Sequence, residues 1–257
     1  MATPLSSSSN DGSDSASRSG LRIEFKEVEK RYGMRLALRG VNLAIAAGEC
    51  VALVGHNGSG KTTLLKIAAQ LTQPTRGEIS FHAGETFVSL DEVKSRVGMV
   101  GHQTLLYDEL TAEENLIFFA KLFGLPSPAQ KARDALQPVG LAGRAGDLVR
   151  TFSRGMRQRL AIARALLASP GLLLLDEAGT GLDPEGQQWL ASAIKRLRDS
   201  GCTILMSTHG RNETQAAVTR AIRLDNGKIA HDSGVGGNPN DVLILAAVRG
   251  SESEANA

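Results

Sequence analysis

Five consecutive apolar residues, Cys50-Val51-Ala52-Leu53-Val54, run directly into Gly55-His56-Asn57-Gly58-Ser59-Gly60-Lys61-Thr62, and a helical pattern starts at Lys61. A short strand with no polar position implies burial on both faces, the condition of a parallel strand covered by helices. The octapeptide fits the phosphate-loop pattern without a mismatch and lies where that pattern has meaning, between a strand and a helix. Its glycines let successive backbone N–H groups curl inward, and the helix start adds the positive end of its dipole, so a phosphate is the natural occupant. Lys61 supplies a fixed positive charge for the outer phosphates of a nucleotide, and the Thr62 hydroxyl is the expected magnesium ligand, with Thr63 next on the same turn.

Two further apolar runs, residues 172–175 and 203–206, have the same character and predict more central strands. The first leads into Asp176-Glu177, two carboxylates at the C-terminal end of a buried strand, where ligands of open α/β sheets bind. Asp176 is placed to hold magnesium directly or through water. Glu177, one residue further out, is placed to polarise an attacking water as general base. Alone, such a pair is as readily a solvated strand end; beside a phosphate loop the catalytic reading gains. His209 follows the second run at the same edge of the sheet. It can hold a γ-phosphate or the attacking water, or be structural, as lone histidines more often are. His56, His82, His102 and His231 have no metal-ligand spacing.

Upstream, residues 21–32 and 41–46 alternate apolar with polar positions and predict half-buried strands forming an antiparallel edge. Residues 111–123, 128–136 and 154–167 predict helices, which makes residues 103–168 a helical subdomain inserted into an α/β core. Residues 184–198 predict another helix, with Pro184 in its first turn, and residues 219–224 and 228–230 flank a turn at Asn226-Gly227. The serine-rich residues 1–20 read as a disordered tail, residues 21–233 as one domain, and residues 234–257 as a C-terminal tail. Within that tail, residues 241–248 are apolar and dock either on the core or on a partner.

Lysine and arginine number 29 against 27 acidic residues, so charge gives no argument for a nucleic-acid partner, and none is expected. The two cysteines, Cys50 and Cys202, sit in apolar runs and read as buried small hydrophobes in a reducing compartment. No run reaches the ~18 apolar residues needed to cross a bilayer.

Thr151-Phe152-Ser153-Arg154-Gly155-Met156-Arg157-Gln158 opens the helix at residues 154–167, with Ser153 as its N-cap and Gly155 permitting close approach in the first turn. This is either a second anion site or an ordinary cap before an amphipathic helix whose arginines are solvated.

Taken in chain order, the loop at Gly55, a lone Gln103, Ser153 with Gly155, Asp176-Glu177, Leu182-Asp183 and His209 resemble an ABC ATPase throughout residues 21–233. The resemblance implies a phosphate-loop NTPase core that binds ATP with Mg2+ and hydrolyses it, with Glu177 and His209 catalytic. It implies contacts with nucleotide from Gly55, His56, Asn57, Gly58, Ser59, Gly60, Lys61, Thr62 and Thr63, and stacking of Tyr32 on adenine. Thr62, Gln103 and Asp176 would serve the metal, Gln103 also sensing the membrane partner, and Asp183 would lie in the inter-subunit loop. Ser153 and Gly155 would cap the γ-phosphate held by a second copy, giving a head-to-tail homodimer with two ATP molecules between its subunits. Arg154 and Met156 stand where the family's signature has glycine and glutamine, and Ala178 where it has proline.

Residues 100–116 and 152–156 look most like the ATPase subunit of the haem exporter of cytochrome c maturation. That implies membrane-embedded permease partners and a peripheral position at the cytoplasmic face of the inner membrane. The alternatives are the ATPase of another exporter, of drug or polysaccharide type, and a soluble ABC ATPase outside transport. A GTP-dependent switch would need an Asn-Lys-x-Asp guanine reader, which is not visible, and would leave Ser153 and His209 without a role.

Overall fold

The apolar runs lie side by side in one sheet. The computed structural model describes residues 20–101, 103–180, 182–208 and 217–243. Ten strands are assigned among them: β1 (Arg22–Tyr32), β2 (Arg35–Ile45), β3 (Cys50–Val54), β4 (Arg76–Ala83), β5 (Thr86–Phe87), β6 (Val97–Val100), β7 (Leu172–Asp176), β8 (Thr203–Ser207), β9 (Arg220–Asp225) and β10 (Lys228–Asp232). The helices are α1 (Lys61–Ala68), α2 (Leu90–Arg96), α3 (Ala112–Leu122), α4 (Pro128–Leu136), α5 (Arg154–Leu166) and α6 (Pro184–Asp199). The larger sheet has the order β10-β9-β3-β8-β7-β6, parallel except for the antiparallel edge strand β10. The smaller sheet, β2-β1-β4-β5, is antiparallel throughout.

The absence of polar positions in β3 and in residues 172–175 of β7 has a direct structural counterpart. Val51 and Leu53 of β3, with Leu172 and Leu174 of β7, enter a core shared with α1 and the antiparallel sheet. Cys50, Ala52 and Val54, with Leu173 and Leu175, enter a second core on the opposite face, beneath α5 and α6. Successive side chains alternate between faces, so a strand covered on both sides must be apolar at every position. Val242 and Leu243 are buried in the second core, which docks the start of the 241–248 segment on the molecule.

A third core binds α3, α4 and α5 together through Leu116, Phe119, Ala132, Leu136 and Leu160, and two short 3-10 turns connect these helices. α3 begins with a reciprocal capping box between Thr111 and Glu114. Buried Asn115 then accepts from Tyr107 N–H at 2.8 Å and donates to the Tyr107 carbonyl at 2.9 Å, which fixes the chain between Gln103 and α3. The sequence pattern predicts these three helices; β4, β5, α2 and β6 are additions that the structure supplies. β6 is short and carries Gly98, where a Cβ would run into the Ala165 carbonyl of α5, so glycine lets that helix lie directly on the strand.

Candidate active site

The loop from Gly55 to Gly60 leaves the C-terminal end of β3 and delivers the chain into α1, with Gly60 at the N-cap. Gly60 has φ +114°, and a Cβ there would come 2.8 Å from Leu38 Cδ2 and 2.9 Å from the Ala37 carbonyl oxygen. Gly55 has φ +147° and packs against the Leu224 carbonyl of β9. Both positions therefore need glycine for conformation and for space. The first turn of α1 contains no acidic residue, so its free N–H groups and dipole face the loop without internal competition.

Lys61 is 5% exposed, and its Nζ donates to the carbonyls of Gly55, at 2.7 Å, and His56, at 3.2 Å. Burial lowers the lysine pKa, and the charges of Glu177 and Asp176 oppose that shift. Ser59 Oγ is fully buried and has no hydrogen-bond partner among the described residues. A buried cation and an orphan hydroxyl at a helix N-terminus suit a polyanion rich in acceptor oxygens. His56 turns outward, with Nδ1 2.8 Å from the Asn57 carbonyl oxygen and Nε2 3.3 Å from Asp225 Oδ1. Arg35, which sequence reasoning did not single out, leaves β2 to donate to the Gly58 carbonyl at 3.3 Å. Tyr32 pairs with Arg35 at the end of the β1–β2 hairpin, half exposed, with Lys30 Nζ 5.2 Å from its ring centre.

Asp176 closes β7 and is 5% exposed. Its Oδ1 accepts from Thr62 Oγ1 at 3.1 Å and from Ser207 Oγ at 2.7 Å. Thr62 and Asp176, the two residues expected at the metal, are thus in direct contact across the crevice between α1 and β7, and a hydroxyl beside a carboxylate is an oxygen donor set suited to Mg2+. Glu177 follows with φ +56°, and its N–H donates to Ser207 Oγ at 3.0 Å. Ser207 is the other residue that sequence reasoning missed; its only sequence signal is one hydroxyl ending an apolar run.

Gln103, Arg154, Arg157, Gln158, Glu177 and Thr180 line a single cleft of about 490 Å3. Residues separated by more than seventy positions in the chain therefore converge beside the carboxylate of Glu177. Ser153 is the N-cap of α5, accepting from Met156 N–H at 3.2 Å, and stays exposed. A Cβ on Gly155 would meet only ordinary contacts, the nearest at 3.7 Å, and Ser153 and Arg154 beside it are exposed. Asp183 caps α6, accepting from Gly186 N–H at 2.8 Å. His209, like His102, lies outside the described residues.

A mostly parallel sheet, a glycine loop leading into a helix and a carboxylate strand beside it define a phosphate-loop NTPase. The profile of the family described as "ABC transporter" matches residues 38–180. The chain is 40% identical to the ABC transporter ATP-binding protein NatA of Bacillus subtilis (strain 168) over 198 residues, covering 76% of this chain and 80% of the relative. It is 38% identical to the Nod factor export ATP-binding protein I of Burkholderia lata over 209 residues, covering 80% of this chain and 68% of the relative. Among solved structures, a dimeric post-hydrolysis state of the ATP-binding cassette MJ0796 bound to ADP and Pi superimposes with a TM-score of 0.74. It is 29% identical and covers 84% of this chain and 99% of that one. This chain belongs to the ABC transporter family and is an ATP-binding, ATP-hydrolysing subunit of that family. Family membership implies ATP and, with it, Mg2+.

Proposed function

We propose that this chain powers an exporter of a cargo other than haem, working as a peripheral ATPase at the cytoplasmic face of the membrane. No helix among the described residues is long and apolar enough to cross a bilayer, and in this reading partner subunits supply the membrane path. The likeness of residues 100–116 and 152–156 to the haem exporter's ATPase finds no echo in the relatives above or in the linearmycin resistance ATP-binding protein of Bacillus subtilis, 32% identical over 209 residues. Names of Nod factor export and of drug resistance favour the drug or polysaccharide alternative. The docking face for the permease is the apolar group beside Gln103: Leu105, Tyr107, Phe118, Leu122 and Phe123 are exposed, and the rings of Tyr107 and Phe118 meet edge to face at 5.0 Å. Clustered exposed aromatics of this kind mark protein contacts.

The observation that carries the chemistry is the contact of Thr62 with Asp176 beside the backbone-anchored Glu177. Lys61 and the loop N–H groups hold the β- and γ-phosphates, and Thr62 and Asp176 hold Mg2+, which when bound neutralises charge on the phosphate oxygens. Glu177 orients and deprotonates the attacking water, assisted by Gln103 across the shared cleft and by His209. Tyr32 stacks on the adenine. Ser153 and Gly155, at the start of α5, cap the γ-phosphate bound by a second copy, with Asp183 near the junction, in a head-to-tail dimer. The dimeric post-hydrolysis state of the solved cassette supports that arrangement. The test pairs chemistry with partner: MgATP hydrolysis by Glu177→Gln should fall at least about a hundredfold, and the parent chain isolated from membranes should carry a permease. Parent-rate hydrolysis by Glu177→Gln would remove the base assignment, and recovery of a haem-exporter permease would restore the haem reading.

A further inference from the structure

The last residue of β8, Ser207, stands opposite the last residue of β7, Asp176, in the parallel ladder. Residues in register on adjacent strands present their side chains on the same face, so this register alone brings a hydroxyl against the carboxylate. Ser207 is 2% exposed. Its Oγ donates to Asp176 Oδ1 at 2.7 Å and accepts the Glu177 N–H at 3.0 Å. One hydroxyl thus uses its single donor on the metal-side carboxylate and an acceptor lone pair on the backbone of the next residue.

These two bonds reach the two halves of the reaction centre. Asp176 Oδ1 has a second donor, Thr62 Oγ1, at 3.1 Å. Once Thr62 turns its oxygen to a metal ion, Ser207 still donates to the Asp176 carboxylate and holds its plane. Glu177, at φ +56°, occupies the left-handed region, which a residue with a Cβ holds only where its surroundings impose it. The bond from its N–H to Ser207 is one such constraint, and it sets the direction in which the Glu177 side chain leaves the strand.

We propose that Ser207 is a positioning residue for ATP hydrolysis, its hydroxyl tying the metal-holding carboxylate of Asp176 to the backbone of Glu177 so that metal binding and base orientation are set together. The proposal rests on the roles of Asp176 and Glu177 given above. A merely structural hydroxyl, present only to satisfy a buried N–H, would affect thermal stability and leave the magnesium dependence of turnover unchanged.

The experiment measures steady-state hydrolysis by the purified full chain against both ATP and Mg2+, for the parent, Ser207→Ala, Ser207→Thr and Glu177→Gln, with thermal unfolding of each. Ser207→Ala is expected to lower kcat by about tenfold or more while KM for ATP moves by less than about threefold, the signature of lost transition-state positioning. Its half-saturating Mg2+ concentration rises by about threefold or more, and Ser207→Thr, which keeps the hydroxyl, returns to within about threefold of the parent. Parent kcat and parent magnesium dependence in Ser207→Ala, with Glu177→Gln inactive, overturn the proposal and leave the site assignment standing. Glu177→Gln turning over at the parent rate overturns both. If the alanine chain does not fold, Ser207→Cys keeps the volume with a weak donor: reduced kcat supports the proposal and parent kcat overturns it.

Discussion

Lys61 and the two cysteines are all buried ionisable groups, and their surroundings separate their uses. Burial lowers the Lys61 pKa, but two carboxylates face it and two loop carbonyls accept hydrogen bonds from its ammonium group, so the site is built to keep a cation. At Cys50 and Cys202 burial outweighs the Arg198 charge near the first and a backbone hydrogen bond with Leu173 at the second, and it pushes both thiols up to about 12, which at neutral pH leaves them protonated and unreactive. A disulfide reagent at pH 8 should leave both thiols unmodified in the folded chain and modify both in urea; labelling of the folded chain would show that one of them opens. The sign of the pH effect follows. A pKa raised by folding contributes stability that is fully present below the unfolded thiol value, about 8.5, and is lost as pH rises toward the folded value. Unfolding midpoints should therefore fall above about pH 8.5, and less steeply in a Cys50→Ala chain.

At the scale of elements, α5 connects the cleft to the sheet. Its N-terminus presents Ser153 and Arg154, and near its other end Arg164 is 7% exposed, donates to the Met99 carbonyl of β6 at 3.0 Å and lies 5.1 Å from the Phe119 ring centre of α3. One guanidinium thus joins the strand that leads to Gln103 with the helix carrying the exposed aromatics. Arg164→Met should destabilise the chain by about 1–3 kcal/mol in urea unfolding, because the Met99 carbonyl loses its donor and the ring its cation; unchanged stability would mean that relief of the buried charge offsets both losses. Legibility in the sequence follows the same physics. β3, β7 and β8 could be read because strands buried on both faces carry an unbroken apolar stretch, residues 50–54, 172–175 and 204–206, and α3, α4 and α5 because their apolar positions follow the helical period. β4 was legible by alternation and was missed: Ile79, Phe81 and Ala83 alternate with Glu78, Ser80 and His82, and all three pack into the first core. The phosphate loop and Asp176-Glu177 were visible as local patterns, whereas Ser207 and Arg35 act through strand register and hairpin placement, which no local window contains.

Across the whole molecule, the nucleotide loop leaves the parallel sheet, while Leu38 and Arg35, which crowd its Gly60 and Gly58, come from the antiparallel one. The relative position of the two sheets therefore sets the loop's shape, and Arg220 is a principal tie between them. From β9 it donates to both carboxylate oxygens of Asp232 on β10, at 2.8 and 2.5 Å, and to the Ala44 carbonyl of β2 at 2.8 Å, with Glu49 Oε2 at 3.6 Å. The paired guanidinium holds the Asp232 carboxyl below its usual range, and the same pairing raises the Arg220 pKa. A carboxylate whose pKa is depressed by folding contributes stability that is present above its unfolded value, about 3.9, and lost as pH falls through the folded value. The bidentate geometry of the pair and its partial burial make that contribution larger than an exposed ion pair gives. Urea unfolding at pH 7 and near pH 3 should therefore show a larger acid loss for the parent than for Asp232→Asn, which is less stable at pH 7 and flatter toward acid. Equal losses in the two chains would mean that the tie between the sheets depends on the Arg220 bond to Ala44 and not on the ion pair.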